Sequence, residues 1–412
     1  MPNLSIMNNI KPRFLLDISY IPFDWFKKWE NLAALGFAIV LLVLHLSTIN
    51  LVRWGLIFDE SFYVRESWGI VQGEEMNIEV FHPEHPPLAK LFIALGLCIF
   101  GLEPIGWRLP SVVFGVVAIV LFYLICQKLT TNRFIPLIAT FVFAFENDSF
   151  VMSSIAMLDV YGLTFLLGSL LLYLHKKYAL SGVILALAVL AKMSMVFGGG
   201  IIVLHWLLTR RTDQLRDILR FLIAAPLSFI FLLPLLNWVA LGYFEYPWES
   251  IRFMLEFHTY GTFAEVPNES GMASRPWEWI LSPETYVIWP DPLYRSGASW
   301  TLWALIVPSM CYVLYQTVRR RWDSFCLFSF LWFACTYFSW VIFYLITDRV
   351  MFRFYFYPSI GAICLALGFL IWKLLEIAGK RESKLAQYVI IVPVITWMVA
   401  HFVIFWVMSP MT

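Results

Sequence analysis

Charge is what this sequence has least of. Only 14% of its 412 residues are Asp, Glu, Lys or Arg, where an ordinary soluble domain carries about a quarter. So little charge excludes a soluble globular enzyme, a disordered chain and a protein that binds nucleic acid through a basic field. Cysteine is also scarce. The six thiols (Cys98, Cys126, Cys311, Cys326, Cys335, Cys364) all sit inside apolar stretches and show no metal-ligand spacing, so single buried thiols are expected. Internal repeats and low-complexity tracts are missing, and so is the pairing of inverted halves that marks many secondary transporters.

What the chain does contain is apolar. Hydrophobic residues make up 60%, with 37 Phe and 19 Trp, and the mean hydropathy is +0.75. This composition predicts an all-α polytopic membrane protein. A spanning helix needs about 20 apolar residues, and 32–52, 109–127, 157–174, 218–241, 299–317, 324–346, 354–372 and 385–409 qualify. The first of these has no cleavage-site pattern and is expected to stay as a span. Residues 88–102 and 134–145 are short, and 179–209 is too long for one crossing.

Basic clusters decide the sides. They fall at 11–28, Lys128/Arg133, Lys176/Lys177, 210–220, Arg319/Arg320/Arg321 and 373–384. If all are cytoplasmic, an even number of crossings separates neighbours. Residues 88–102 then lie on the outer surface or re-enter rather than cross, two crossings turn around Glu146-Asn147-Asp148, and two more turn near Lys192. The result is about 11 transmembrane helices, with the N-terminus inside and the C-terminus outside. The net charge of +1 hides a polarised molecule: inner segments hold 19 Lys+Arg and 8 Asp+Glu, outer ones 10 and 20. The predicted organisation is a cytoplasmic segment 1–31, an N-terminal transmembrane catalytic module 32–241 with an outer loop 53–108, a second outer loop 242–298, and C-terminal helices 299–412.

The outer face collects the residues that can carry chemistry. Asp59-Glu60 follows the first span as a paired acid, suited to a general base, a metal ligand or a solvated helix cap. His82-Pro83-Glu84-His85-Pro86-Pro87-Leu88-Ala89-Lys90 uses proline to stiffen the chain before a helix start, and its spacing matches no helical zinc motif. Arg108, in Gly106-Trp107-Arg108-Leu109-Pro110, borders hydrocarbon, where a cation either snorkels or holds an anion such as a lipid phosphate. Glu146, Asn147 and Asp148 precede Asp159 at the head of another span, where a helix-dipole role is the simple alternative. Lys192, Arg349 and Arg353 add cations at span ends. Each alone reads as snorkelling or capping. Together, acids, imidazoles and cations converge on one membrane face beside lipid, as an enzyme acting on an anionic lipid requires. A channel would spread polar groups through the bilayer depth.

At these residues the sequence resembles the protein O-mannosyltransferases, type C glycosyltransferases that use a polyprenyl-phosphate sugar. Phe58-Asp59-Glu60 is similar to the family's first-loop acidic motif, and His85-Pro86-Pro87-Leu88-Ala89-Lys90 to its HPPLGK motif. Arg108-Leu109-Pro110, the run from Glu146-Asn147 through Ser153 to Asp159, Leu190-Ala191-Lys192, and Ser274-Arg275-Pro276-Trp277-Glu278-Trp279 after His258 continue the match in order. Arg349-Val350-Met351-Phe352 with Pro358 ends it. Two departures stand out: the family's Arg after the serine is Ser154 here, and 242–298 is too short for the β-trefoil of fungal and animal members, which suggests a compact prokaryotic-type member.

The resemblance implies a type C glycosyltransferase fold with outer-face juxtamembrane helices. It implies an inverting enzyme that moves mannose from a polyprenyl phosphate to Ser/Thr hydroxyls of exported proteins, in the cell membrane, with its active site on the outer face. Asp59 would be the general base, with Glu60 beside it. Arg108, Lys90, Lys192, Arg349 and Arg353 would bind the donor phosphate or lipid; His85, Glu146, Asn147, Asp159, His258 and Trp277 would orient substrates. No cofactor is demanded, though a divalent metal at Asp59/Glu60 stays open. The HPPL and R-L-P motifs are also similar to those of lipid A aminoarabinose transferases, so a pentose-type transferase acting on a glycolipid is one alternative. A transporter or flippase for an anionic lipid, which needs a phosphate clamp but no base, is the other.

Overall fold

The computed structural model describes residues 25–53, 55–73, 84–209, 215–257, 261–263, 272–319 and 324–411. Helices dominate. The first half contains α1 (Trp29–Thr48), α2 (Glu60–Gln72), α3 (Leu88–Phe100), α4 (Pro104–Leu129), α5 (Phe134–Ala144), α6 (Asn147–Ser154), α7 (Leu158–Leu174), α8 (Tyr178–Ala191) and α9 (Phe197–Thr209). The second half contains α10 (Leu215–Leu241), α11 (Pro247–Phe257), α12 (Glu278–Leu281), α13 (Trp300–Trp303), α14 (Ile306–Arg319), α15 (Ser324–Phe333), α16 (Ser339–Thr347), α17 (Tyr357–Gly379) and α18 (Lys384–Met408). Two small antiparallel pairs complete it: β1 (Ala273–Ser274) with β4 (Met351–Phe352), and β2 (Tyr286–Trp289) with β3 (Tyr294–Ser296).

Among the described residues, six helices are long and apolar enough to cross a membrane, and the α5–α6 pair, bent by 56°, can make a seventh. This is a polytopic membrane protein. α7, α8 and α9 are apolar but shorter. At 1.5 Å per residue the 14 residues of α8 rise only about 21 Å, against a hydrocarbon core of about 30 Å. A count of eleven therefore rests on loop charge rather than on helix length. The expected turns are present: the chain breaks at Phe145–Glu146 between α5 and α6, and at Lys192 between α8 and a 3-10 turn, Met193–Val196. The expected span 299–317 is broken into α13 and α14. α15 and α16 run on through a π-helical turn, Ala334–Phe338.

Burial separates inner from outer helices. Every residue of α17 from Tyr357 to Phe369 is buried, whereas only 17% of the best apolar window of α10 or of α18 is. Those two helices present their leucines, valines and tryptophans outward, to lipid. Lipid offers little hydrophobic reward for helix pairing, so small residues and interhelical hydrogen bonds provide much of the specificity. Gly96 of α3 shows the first: a Cβ there would occupy the place of the Gly106 carbonyl oxygen. The second recurs throughout. The Tyr123 hydroxyl donates to Asn31 Oδ1 at 2.7 Å, Trp332 Nε1 to the Pro358 carbonyl at 2.9 Å, and the Thr336 and Ser359 hydroxyls lie 2.8 Å apart.

Candidate active site

The chain enters α2 through Phe58, whose φ of 55° is unusual for a bulky residue. That backbone turn splits the acid pair. Asp59, at the N-cap, stays half-buried. Glu60 points inward and is 0% exposed. Its carboxylate accepts from Arg108 Nε at 2.9 Å and Nη2 at 2.7 Å, from the Ile57 N–H at 2.8 Å and from the Ala156 N–H at 2.9 Å. Two adjacent acids thus have different settings: Glu60 is fully buried and ties three segments together, whereas Asp59 stays partly exposed.

Arg108 does not match its expected role as a phosphate clamp. Besides the two bonds to Glu60, Nη1 donates to the Ile49 and Val52 carbonyls, both at 3.0 Å, and Nη2 to the Gly55 carbonyl at 3.4 Å. All five N–H groups are used and the side chain is 0% exposed, so an incoming phosphate would have to displace protein contacts. Lys90 is likewise 0% exposed, paired with Glu66 at 2.7 Å, while its carbonyl accepts from the Ser67 hydroxyl. That pair locks α2 to α3 and makes Lys90 a structural residue rather than a donor contact. Pro87 caps α3 as expected, and His85 is half-buried just before it. His82 lies outside the described residues.

Glu146 and Asn147 also serve the fold rather than a substrate. The Ser299 N–H donates to Glu146 Oε1 at 2.6 Å and the Asn147 amide donates to the Arg295 and Gly297 carbonyls at 2.8 and 3.0 Å. The Gly297 N–H donates to Asp148 at 2.6 Å. Three consecutive polar residues at the start of α6 therefore pin the 295–299 segment. Ser153 and Ser154 flank His45, with hydroxyls 3.2 Å from Nε2 and 3.1 Å from Nδ1. This is what stands in the place where the resembled family has an Arg.

Asp159 and Lys192 come together, at the head of α7 and the end of α8, as a buried ion pair of 2.5 Å. The Lys192 ammonium also sits 5.0 Å from the Phe354 ring centroid and 5.3 Å from that of Tyr355. Lys192 is therefore largely neutralised in place. The outer strands bring in Arg349: its segment bridges to Thr262, and the Val350 N–H donates to the Gly261 carbonyl. Arg349 is half-buried, and its Nη1 is buried without a hydrogen-bond partner among the described residues. Arg353 is committed elsewhere. It donates to the Glu278 and Ser282 carbonyls and to Glu284, anchoring α12 to the start of α17. Trp277 packs on Tyr344, centroids 5.0 Å apart, beneath Arg275. It braces the strands beside Arg349. His258 lies outside the described residues.

Aromatic residues, most of them outside the motifs, close the site. Phe58 meets Phe354 edge-on at 5.5 Å, and Tyr355 stacks on Trp340 at 4.7 Å. Tyr63, one turn into α2, is buried, and burial pushes its phenol well above its usual range, with Asp59, Glu84 and Asp159 pushing the same way. Those three carboxylates therefore share one small region. A sequence signal existed for Tyr63, which follows Asp59 at helical spacing; none existed for Tyr355 or Trp340, which are far away in the chain. Among the described residues no group of three or more His, Cys, Asp or Glu could hold a metal ion. Glu60, with both oxygens engaged by protein donors, does not fit the second-ligand role at an Asp59/Glu60 metal site.

Residues 84–238 match the family model described as dolichyl-phosphate-mannose-protein mannosyltransferase. The polyprenol-phosphate-mannose–protein mannosyltransferase of Mycolicibacterium smegmatis is 34% identical over 107 residues, 26% of this chain and 21% of that protein. Its counterpart from Corynebacterium glutamicum is 33% identical over 113 residues, 26% of this chain and 22% of that protein. The matched segment thus spans only about a fifth of these curated relatives. The likeness of fold is far wider. The Saccharomyces cerevisiae protein O-mannosyltransferase Pmt1-Pmt2 complex bound to the sugar donor superposes with a TM-score of 0.74 at 12% identity, over 93% of this chain and 90% of that one. ArnT from Cupriavidus metallidurans, in the apo state, gives 0.58 at 14% identity, over 92% and 76%.

Proposed function

We infer that this chain is a member of the dolichyl-phosphate-mannose-protein mannosyltransferase family and an inverting glycosyltransferase that moves mannose from a polyprenyl phosphate to a Ser/Thr hydroxyl of an exported protein. The carrying observation is the division of labour around Asp59. Its neighbour Glu60 and the cations Arg108 and Lys90 are fully buried and consumed by the fold, while Asp59 stays partly exposed and Arg349 keeps a buried Nη1 with no hydrogen-bond partner among the described residues. A base and a cation are what this reaction needs. Asp59 takes the proton of the acceptor hydroxyl as its oxygen bonds to the anomeric carbon. The bond from that carbon to the phosphate oxygen breaks on the opposite face, and the polyprenyl phosphate leaves with the electron pair. Arg349 stabilises the charge gathering on that phosphate. Lys192, paired with Asp159, takes no direct part in holding the phosphate.

The test is transfer by the purified protein in detergent, from radiolabelled polyprenyl-phosphate mannose to a Ser/Thr-containing peptide. Mannosylated peptide is expected; an unconsumed donor would count against the enzyme reading and for a lipid carrier. A charge-assisted hydrogen bond contributes roughly 1.5–3 kcal/mol. Arg349→Ala should therefore raise the donor KM about tenfold or more, and an unchanged KM removes Arg349 from the phosphate site.

We place the site on the outer face, with the N-terminus cytoplasmic, because the positive-inside rule assigns the basic clusters to the cytoplasmic side and the candidate acids lie in the loops between them. In intact cells a cysteine at Gly73 should react with an impermeant thiol reagent and one at Lys177 should not. The reverse pattern inverts the topology.

A further inference from the structure

We propose that Tyr355 is the sugar-recognising residue of this site, its phenol hydroxyl hydrogen-bonding a ring hydroxyl of the donor's hexopyranose head group. The inference rests on the glycosyltransferase reading and deepens it, since the motif residues expected to orient substrates do not include Tyr355. Tyr355 is held by its ring and not by its hydroxyl. Trp340 stacks on one side at 4.7 Å with an interplanar angle of 23°, Phe354 abuts it edge-on at 4.9 Å, and the Lys192 ammonium sits 5.3 Å from its centroid. The ring is thus fixed in position, yet no described residue takes the hydroxyl's hydrogen bond, and the side chain is only half-buried.

The surroundings suit a neutral polyol. Phe58, the residue before the proposed base, touches Phe354, the residue before Tyr355, so Asp59 and Tyr355 are brought to the same place from the two ends of the chain. Asp159, paired with Lys192 beside the Tyr355 ring, has its Oδ2 buried with no hydrogen-bond partner among the described residues. Asp59, Asp159 and Glu84 lie within electrostatic reach of the Tyr355 phenol, as does Arg349. Carboxylate acceptors beside a positioned phenol offer sugar hydroxyls both donor and acceptor partners. Arg349 on the same rim takes the phosphate. A bare lipid phosphate would use Arg349 and leave the Tyr355 hydroxyl and Asp159 Oδ2 unsatisfied, which is how the site would favour sugar-bearing donor over sugar-free product.

Direct binding of two probes tests this: polyprenyl-phosphate mannose and polyprenyl phosphate, each titrated against the wild type and Tyr355→Phe, with thermal unfolding to check that both fold. The wild type should prefer the mannosylated lipid. Tyr355→Phe should lose that preference by about threefold to tenfold, the effect of one neutral hydrogen bond, with affinity for the plain lipid phosphate unchanged. Tyr355→Phe with the full preference, equal losses for both lipids, or a wild type with no preference each overturns the sugar subsite. The transfer assay on the same preparation decides the enzyme reading separately. Active protein lacking the Tyr355 effect sinks the inference alone, and inactive protein that prefers the mannosylated lipid sinks the reading.

Discussion

Asp59→Asn should lower single-turnover mannose transfer by at least about a hundredfold, the low end of what a positioned general base contributes. The amide keeps the size of the carboxylate at the start of α2 and cannot accept the proton of the acceptor hydroxyl. Donor affinity should survive or improve, because the change removes negative charge from a site proposed to bind an anion. The pair of measurements is transfer rate and donor affinity. Parent-rate transfer, or a loss traced wholly to weaker donor binding, would remove Asp59 as the base. Glu60 cannot serve as a simple neighbouring control. It accepts four hydrogen bonds from Arg108, Ile57 and Ala156, so Glu60→Gln should impair folding before it says anything about chemistry.

Arg108→Ala should destabilise the protein by roughly 3–5 kcal/mol, the cost of leaving one partner of a buried ion pair uncompensated. It strands the Glu60 carboxylate and the Ile49, Val52 and Gly55 carbonyls, which form the turn leading from α1 to α2. Arg108→Lys should recover little, since three ammonium protons cannot replace five fixed N–H groups. Thermal unfolding followed by size-exclusion chromatography reads the effect. Arg108→Ala that stays as stable as the wild type and loses only donor affinity would restore the phosphate clamp.

The contrast between Arg108 and Arg349 shows where sequence-level inference stopped. Both are cations at the edge of an apolar stretch, and both invite the same expectation of a bound anion. Nothing local tells them apart. Arg108 is consumed because the Ile49, Val52 and Gly55 carbonyls fold onto it, whereas Arg349, at an isolated backbone bridge to Thr262, keeps a buried Nη1 with no hydrogen-bond partner among the described residues. The same holds for Lys90, whose partner Glu66 lies on a different helix, and for Glu146–Asp148, whose partners are about 150 residues away.

Sequence by itself determined the material of this protein and its plan. Apolar runs of spanning length, interrupted by basic clusters, fix a polytopic helical chain, because hydrocarbon admits only helices that satisfy their own backbone. The acids and cations gathered in the remaining loops mark the region of the site. Tertiary structure alone decided which of those charges are taken up by partners within the fold. A buried charge must be paired, and pairing depends on which side chains folding brings within about 3 Å, a relation that spacing along the chain does not encode. That is why Asp59 and Glu60, adjacent in sequence, have opposite fates. It is also why Tyr355, nearly three hundred residues away, joins Asp59 at the site.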